Sequence, residues 1–382
     1  MGISKRGTKW RAFISVKKEG GKYRNKPLGS FDTKFEAVKA VEYAQSVASK
    51  DRRMAFTVPF YEYFEWFFQK YKKEACSKKT QGHYRHTKRY IKKYLGDTPL
   101  SDLTNDKYVE LLNQFSKDYS PATLEKFHTH MRACVKQAFA LGHIPIEFTS
   151  GSSLRGLGDK SKEKPIYQKY IDDTQYKKVL QYVVQHRDKE SSIYYAIIFS
   201  LLTGCRFSEI VGITIDDLNF EQGFVDINKT YDYMNPPSNS SDWLPCKNKN
   251  SYRKVEMPQN LAELLKEFWQ YQQEKCQFHQ IKNPRKQIFF DWQEGVCDNR
   301  KANIEIKKIL VTCGITDKPK FSMHCCRHTF VSFLIYQGYS VEEVALIVGD
   351  KPEEIRKTYY HVFQEYEVRT RSKTRGLMNS LF

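Results

Sequence analysis

The sequence predicts a multidomain α+β protein: a small N-terminal β-sheet with one helix, an all-α domain, and a larger mixed, mainly-α domain with a small antiparallel sheet. Three observations predict it. Apolar residues alternate with period 2 up to about residue 31 and then recur with the helical period. A Gly-, Ser- and Lys-rich stretch, Thr149 to Ser161, interrupts the helical pattern as a linker would. Beyond it, short strand-like pieces are set among helices. With 382 residues the chain can build two or three domains with cores of their own.

Sixty-three Lys and Arg against 44 Asp and Glu give a net charge of +19. That balance favours a polyanionic partner, because each phosphate neutralised also releases counterions. The nine cysteines are scattered without a CxxC pair, which fits a reducing cytoplasm. Cys325 and Cys326 lie beside His324 and His328, but adjacent cysteines on a helix cannot both face one metal, so no metal and no cofactor are expected. The chain carries neither a signal-peptide pattern nor an apolar run of membrane-spanning length, so no membrane partner is expected.

Residues 1–50 hold 12 Lys and Arg against 4 Asp and Glu. Two alternating pieces, Trp10 to Val16 and Tyr23 to Phe31, flank Gly20-Gly21 as a hairpin would, and Thr33 with Glu36 opens a helix. A basic ribbon of this kind can enter a DNA groove, with Lys9, Arg11, Lys22, Arg24 and Lys26 as candidate contacts. After the basic joint Lys50 to Arg53, four helices are predicted between about Pro59 and His143. The first carries a core stripe, Phe60, Tyr63, Phe64, Phe67, Phe68 and Tyr71. The second, Gly82 to Tyr94, presents Arg85, Lys88 and Arg89 as further candidate DNA contacts. Thr104 precedes the third, and Ser120-Pro121 opens the fourth as N-cap and N1.

In the last domain, Thr174 to Val184 and Ile193 to Leu202 read as helices, the second apolar enough to be buried. Arg206 and Glu209 follow a Gly-containing turn as an i, i+3 pair. Strands Gly223 to Ile227 and Arg253 to Pro258 enclose a polar loop that carries Lys247 near a hairpin tip. A helix over Phe321 to Gln337 places His324, Arg327 and His328 on one face, with Gly338 as its stop. Ser340 and Glu343 form a capping box for the next helix, closed by Gly349, and a third, short helix leads to Tyr359-Tyr360-His361.

Gly204-Cys205-Arg206, Lys247, His324-x-x-Arg327-His328 and Tyr359-x-His361, in this order and spacing, resemble the tyrosine recombinase (phage integrase) family. The resemblance implies a three-domain integrase of a phage or integrative mobile element. Its parts would be an arm-type DNA-binding module (1–52), a helical core-binding domain (57–148), a linker (149–164), a catalytic domain (165–365) and a C-terminal tail (366–382). It further implies double-stranded DNA at arm and core attachment sites as partner, a homo-tetramer on DNA, and a bacterial cytoplasmic setting at the nucleoid. An accessory excisionase and a host DNA-bending protein are candidate partners. Arg206 and Arg327 would neutralise the scissile phosphate, Tyr359 would be the nucleophile with Tyr360 as rival, and Lys247 the general acid with Lys249 as runner-up. His324 would assist Tyr359, with His328 and Glu209 supporting the pocket. A 3′-phosphotyrosyl intermediate would conserve bond energy.

One position departs from the pattern. After Val348-Gly349, where the family has His or Trp, the chain has Asp350. Asp350 admits two readings: an acid near the scissile phosphate, which would repel it and weaken activity, or, followed by Pro352 and Glu353, a helix N-cap that points away from the phosphate. Two alternatives to an integrase stay open: a type IB topoisomerase-like enzyme, and a catalytically weak or inactive DNA-binding protein of the same fold.

Overall fold

The computed structural model describes residues 2–17, 23–45, 50–163, 168–234, 236 and 243–381. It forms two compact units, Met1–Glu163 and Lys164–Phe382.

The first unit begins with an antiparallel meander of β1 (Gly2–Arg6), β2 (Lys9–Lys17) and β3 (Tyr23–Phe31). Sequence periodicity anticipates β2 and β3; β1 is additional, because Gly-Ile-Ser-Lys-Arg has no alternation of its own and is a strand only through its pairing with β2. Helix α1 (Lys34–Gln45) opens with the Thr33–Glu36 reciprocal cap. It closes on the sheet through small residues, Ala12 against Ala37 and Ala40, which allow close backbone approach.

The helical part comprises α2 (Lys50–Thr57), α3 (Phe60–Tyr71), α4 (Lys78–Leu95), α5 (Asn105–Asp118) and α6 (Pro121–Ala140). The basic joint is thus itself a helix, α2. The aromatic stripe of α3 is core, with Phe60, Tyr63, Phe64, Phe67 and Phe68 all buried. Buried polar groups there are paired: Tyr63 with His143, Tyr108 with His128, and Thr87 with His130, each at 2.7 Å. Leu154 and Leu157, within the stretch expected to be a linker, pack against this helical core.

The second unit contains α7 (Asp173–Gln185), α8 (Ser192–Thr203), α9 (Phe207–Ile210), β4 (Leu218–Asn219), β5 (Phe224–Ile227) and β6 (Arg253–Glu256), then α10 (Gln259–Phe278), β7 (Phe290–Asp291), β8 (Gly295–Val296), α11 (Asn299–Thr312), α12 (Met323–Tyr336), α13 (Val341–Val348) and α14 (Pro352–Asn379). Strands β4, β5 and β6 form one antiparallel sheet with Val225 opposite Val255, and β7 and β8 a small hairpin. Helix α8 is buried almost all round, as its run Tyr195 to Leu201 predicts. Helix α12 divides two apolar clusters: Met323, Cys325 and Cys326 pack into the larger, Phe330, Val331 and Leu334 into the smaller with α13 and α14. Arg327 on α12 is therefore held between two packed layers, while His324 stays exposed.

The end of the chain differs from expectation. Tyr359, Tyr360 and His361 do not follow a short helix; they lie inside the 28-residue α14, which continues through the expected tail. All nine cysteines are free thiols, and among the described residues no helix is long and apolar enough to cross a membrane.

Candidate active site

A cleft of about 430 Å³ opens in the second unit, and Arg206, Lys247, His324, Arg327, Asp350 and Tyr359 are among its lining residues. Arg206, Lys247 and Asp350 arrive from turns or helix ends, His324 and Arg327 from α12, and Tyr359 from within α14. Helix α8 stops at Gly204 in the left-handed conformation (φ +64°); a Cβ there would sit 2.6 Å from the Phe330 ring. The turn delivers Arg206 to the N-cap of α9, where its backbone N–H donates to Glu209 Oε2 at 3.0 Å and its Nη1 to Glu209 Oε1 at 2.7 Å.

Arg327 is 3% exposed. Its Nη1 donates to the carbonyls of Gly204 at 2.9 Å and Val348 at 2.8 Å, so the ends of α8 and α13 grip one guanidinium. The remaining nitrogens of the two arginines converge: Arg206 Nη2 donates to Asp350 Oδ1 at 2.7 Å and Arg327 Nη2 to Asp350 Oδ2 at 2.6 Å. This corrects the reading of Asp350 as a helix cap. Lys351 occupies the N-cap of α14, and the Asp350 carboxylate points into the cleft between the guanidiniums. Two cations facing one cleft attract the nearest carboxylate more strongly than one orphan backbone N–H does.

Behind them lies Glu209, 2% exposed. Burial pushes its carboxyl up, but Arg253, Arg206 and Arg327 outweigh that and hold it below the usual carboxylate range. Arg253 is a member of the cluster that sequence reading leaves as a strand residue; its Nη2 donates to Glu209 Oε2 at 3.1 Å. A signal for it exists, since alternation with buried Val255 and Met257 puts Arg253 on the inner face, where an arginine needs an acid.

On the other side of the cleft, Tyr359 is buried and its hydroxyl lies 2.6 Å from His328 Nδ1. His328, not His324, is therefore the histidine that touches the phenol; His324 stands edge-on to His328, ring centroids 4.7 Å apart, and lines the cleft. Helical spacing puts both on one face but leaves open which one α14 meets. Burial raises the Tyr359 pKa; Arg327 pulls it back and Asp350 adds to the rise. Tyr360, one residue on, is 63% exposed and turned outward to Gln364. Lys247 is exposed on the cleft wall, whereas Lys249 starts a short 3₁₀ turn, Lys249–Ser251. His361 packs beside Tyr170.

The remaining candidate DNA contacts belong to the first unit. Lys9 and Arg11 are exposed on β2, Lys9 within 3.5 Å of Asp32. Lys22 lies outside the described residues, as do the side chains of Arg24 and Lys26. Arg85 and Arg89 are exposed on α4, and Lys88 pairs with Glu65 at 3.2 Å.

The model of the phage integrase family matches residues 169–365, more than half of the chain, and that of the phage integrase SAM-like domain matches residues 59–151. The chain belongs to the phage integrase family. It is a tyrosine recombinase, an enzyme that breaks and rejoins DNA. Among its relatives are the integrase of Staphylococcus phage L54a, 22% identical over 75% of this chain and 84% of the relative, and a tyrosine recombinase XerC-like protein of Caldanaerobacter subterraneus subsp. tengcongensis, 23% identical over 77% and 76%. The fold is similar to that of the Tn1549 transposon integrase in complex with a circular intermediate DNA (TM-score 0.62, 16% identity, 79% of this chain and 95% of that one). It is also similar to a lambda integrase tetramer bound to a Holliday junction (TM-score 0.52, 14% identity, 91% and 95%).

Proposed function

We propose that this integrase inserts and excises a mobile element by exchanging DNA strands through a 3′-phosphotyrosyl intermediate, with Tyr359 as nucleophile. The observation that carries the reading is the convergence of a buried phenol, two fixed guanidiniums and an exposed lysine on one cleft. Arg206 and Arg327 take the two non-bridging oxygens of the scissile phosphate, where charge grows during in-line attack. The Tyr359 oxygen bonds to phosphorus as its proton passes to His328; the bond from phosphorus to the 5′ oxygen breaks, and Lys247 protonates that oxygen. His324, facing the cleft, supports the phosphate. Attack by the 5′ hydroxyl of the partner strand then reverses these steps and frees the tyrosine. Strand exchange between two duplexes requires four such sites, hence a homo-tetramer on DNA.

The basic β1–β3 module, 1–52, binds arm sites, and the helical domain, 57–148, grips the core site through Arg85, Lys88 and Arg89. An excisionase and a host bending protein set direction, in the bacterial cytoplasm. A second reading, a DNA-binding protein of weak activity, is favoured by one observation: the Asp350 carboxylate already engages both arginines.

The test is a nicked suicide DNA carrying the attachment core, resolved on denaturing gels. The expected result is a covalent complex with the wild type and with Tyr360→Phe, and none with Tyr359→Phe. A complex that survives Tyr359→Phe overturns the assignment, and no complex with the wild type favours the second reading.

A further inference from the structure

We infer that Arg253 is a positioning residue of the cleavage reaction, holding in one arrangement the three chain segments that carry Arg206, Lys247 and Asp350. The inference rests on the proposed role of Arg206.

Its side chain is 5% exposed and lies behind the cleft wall. Each nitrogen of the guanidinium is committed to a different element. Nη2 donates to Glu209 Oε2 of α9 at 3.1 Å, Nη1 to the Ser251 carbonyl at 3.0 Å in the turn before β6, and Nε to the Ile347 carbonyl of α13 at 3.1 Å. These three elements are the ones that matter. Glu209 fixes Arg206 at 2.7 Å, and Ser251 Oγ approaches the same Arg206 Nη1 at 3.4 Å. The Ser251 turn closes the segment from Lys247 and is braced by Asn248, whose Oδ1 accepts from Ser251 N at 2.9 Å. Two residues past Ile347, Gly349 turns in the left-handed region (φ +70°) to present Asp350. A Cβ on Gly349 would come within 2.8 Å of Arg253 Nη1 and of the Asn250 carbonyl, so the guanidinium lies directly against that turn. Asn250 adds a second tie, Nδ2 to the Asp350 carbonyl at 3.2 Å.

Burying a guanidinium is costly, and an apolar side chain of like volume would fill the space without that cost. What a leucine or methionine cannot do is fork to three acceptors at fixed angles, and neither can lysine, whose ammonium is a single compact point of charge. The contribution of Arg253 is therefore geometric: it sets the Arg206 guanidinium relative to the phosphate and couples that setting to the Gly349–Asp350 turn.

The test uses full-length protein in single-turnover cleavage of nicked suicide DNA, with DNA affinity and melting temperature measured in parallel. Arg253→Lys is expected to keep its DNA affinity within about threefold while its cleavage rate falls by about a hundredfold, the scale of a roughly 1 Å misplacement. Arg253→Ala should be slower still and should regain at least tenfold on addition of guanidinium, with ammonium at equal ionic strength giving no such gain. A 5′-bridging phosphorothiolate, whose sulfur leaves without a proton, should restore Lys247→Ala far more than either Arg253 variant, because their defect reaches Arg206 as well as the Lys247 segment. Wild-type cleavage by Arg253→Lys overturns the inference, and so does a loss confined to DNA affinity. If Arg253→Ala does not fold, Arg253→Lys alone decides. Should the phosphorothiolate fail to restore Lys247→Ala while Arg253→Lys is slow as expected, it is the proposed mechanism that fails and not this inference.

Discussion

Arginine is handled in opposite ways in the two units. On α4, Arg85 and Arg89 stand exposed, and Lys88 makes a surface pair with Glu65. Around the cleft, Arg253 and Arg327 are 5% and 3% exposed, and each is locked by carbonyls and a carboxylate. Exposed cations contribute affinity by releasing counterions, and each is replaceable by a neighbour. Buried ones contribute direction, and removing any partner leaves an uncompensated charge. Net charge alone does not separate these two uses; burial and hydrogen-bond partners do.

Breaking the buried set should have the largest effects. Glu209→Gln leaves Arg253 without its carboxylate and should cost about 3 kcal/mol of stability, along with most of the cleavage activity. The pH dependence has a definite sign. The folded-state pKa of Glu209 lies below its ordinary 4.5, so its stabilisation is complete above that value and is lost as pH falls through the folded value. The gap in melting temperature between wild type and Glu209→Gln should therefore be constant above about pH 5 and close only below 4.5. A gap that changes between pH 6 and 8 would assign the effect to another group.

Asp350→Asn should act in the other direction. It removes one negative charge beside the incoming phosphate, and in a Tyr359→Phe background it should tighten core-site binding about tenfold, ~1.4 kcal/mol. Weaker binding would mean that the carboxylate is needed to align the guanidiniums. The smallest effects belong to α4. Arg85→Ala and Arg89→Ala should each lower the slope of log affinity against log salt by about 0.9 and leave the cleavage rate of bound DNA unchanged. A slower rate at saturating protein would erase the distinction between the two units.

Much of the site is legible in sequence because its spacing is local. His324, Arg327 and His328 share a face by helical period alone, and Arg206 with Glu209 is an i, i+3 pair at a helix start. The illegible parts depend on residues far apart in the chain. The pattern Asp350-Lys351-Pro352-Glu353 is a good cap sequence, and only the folded chain brings two guanidiniums to it. Which histidine meets Tyr359 depends on how α14 packs on α12, and periodicity carries no record of that. Strand β1 has no pattern because its pairing supplies its structure, and the length of α14 is hidden because its polar second half reads as a tail.

Whether the buried phenol at the arginine pair is the reactive group is decided by mass spectrometry of the covalent complex after nuclease and protease digestion. The expected result is a nucleotide adduct on Tyr359. An adduct on the exposed Tyr360, one residue away, would contradict it.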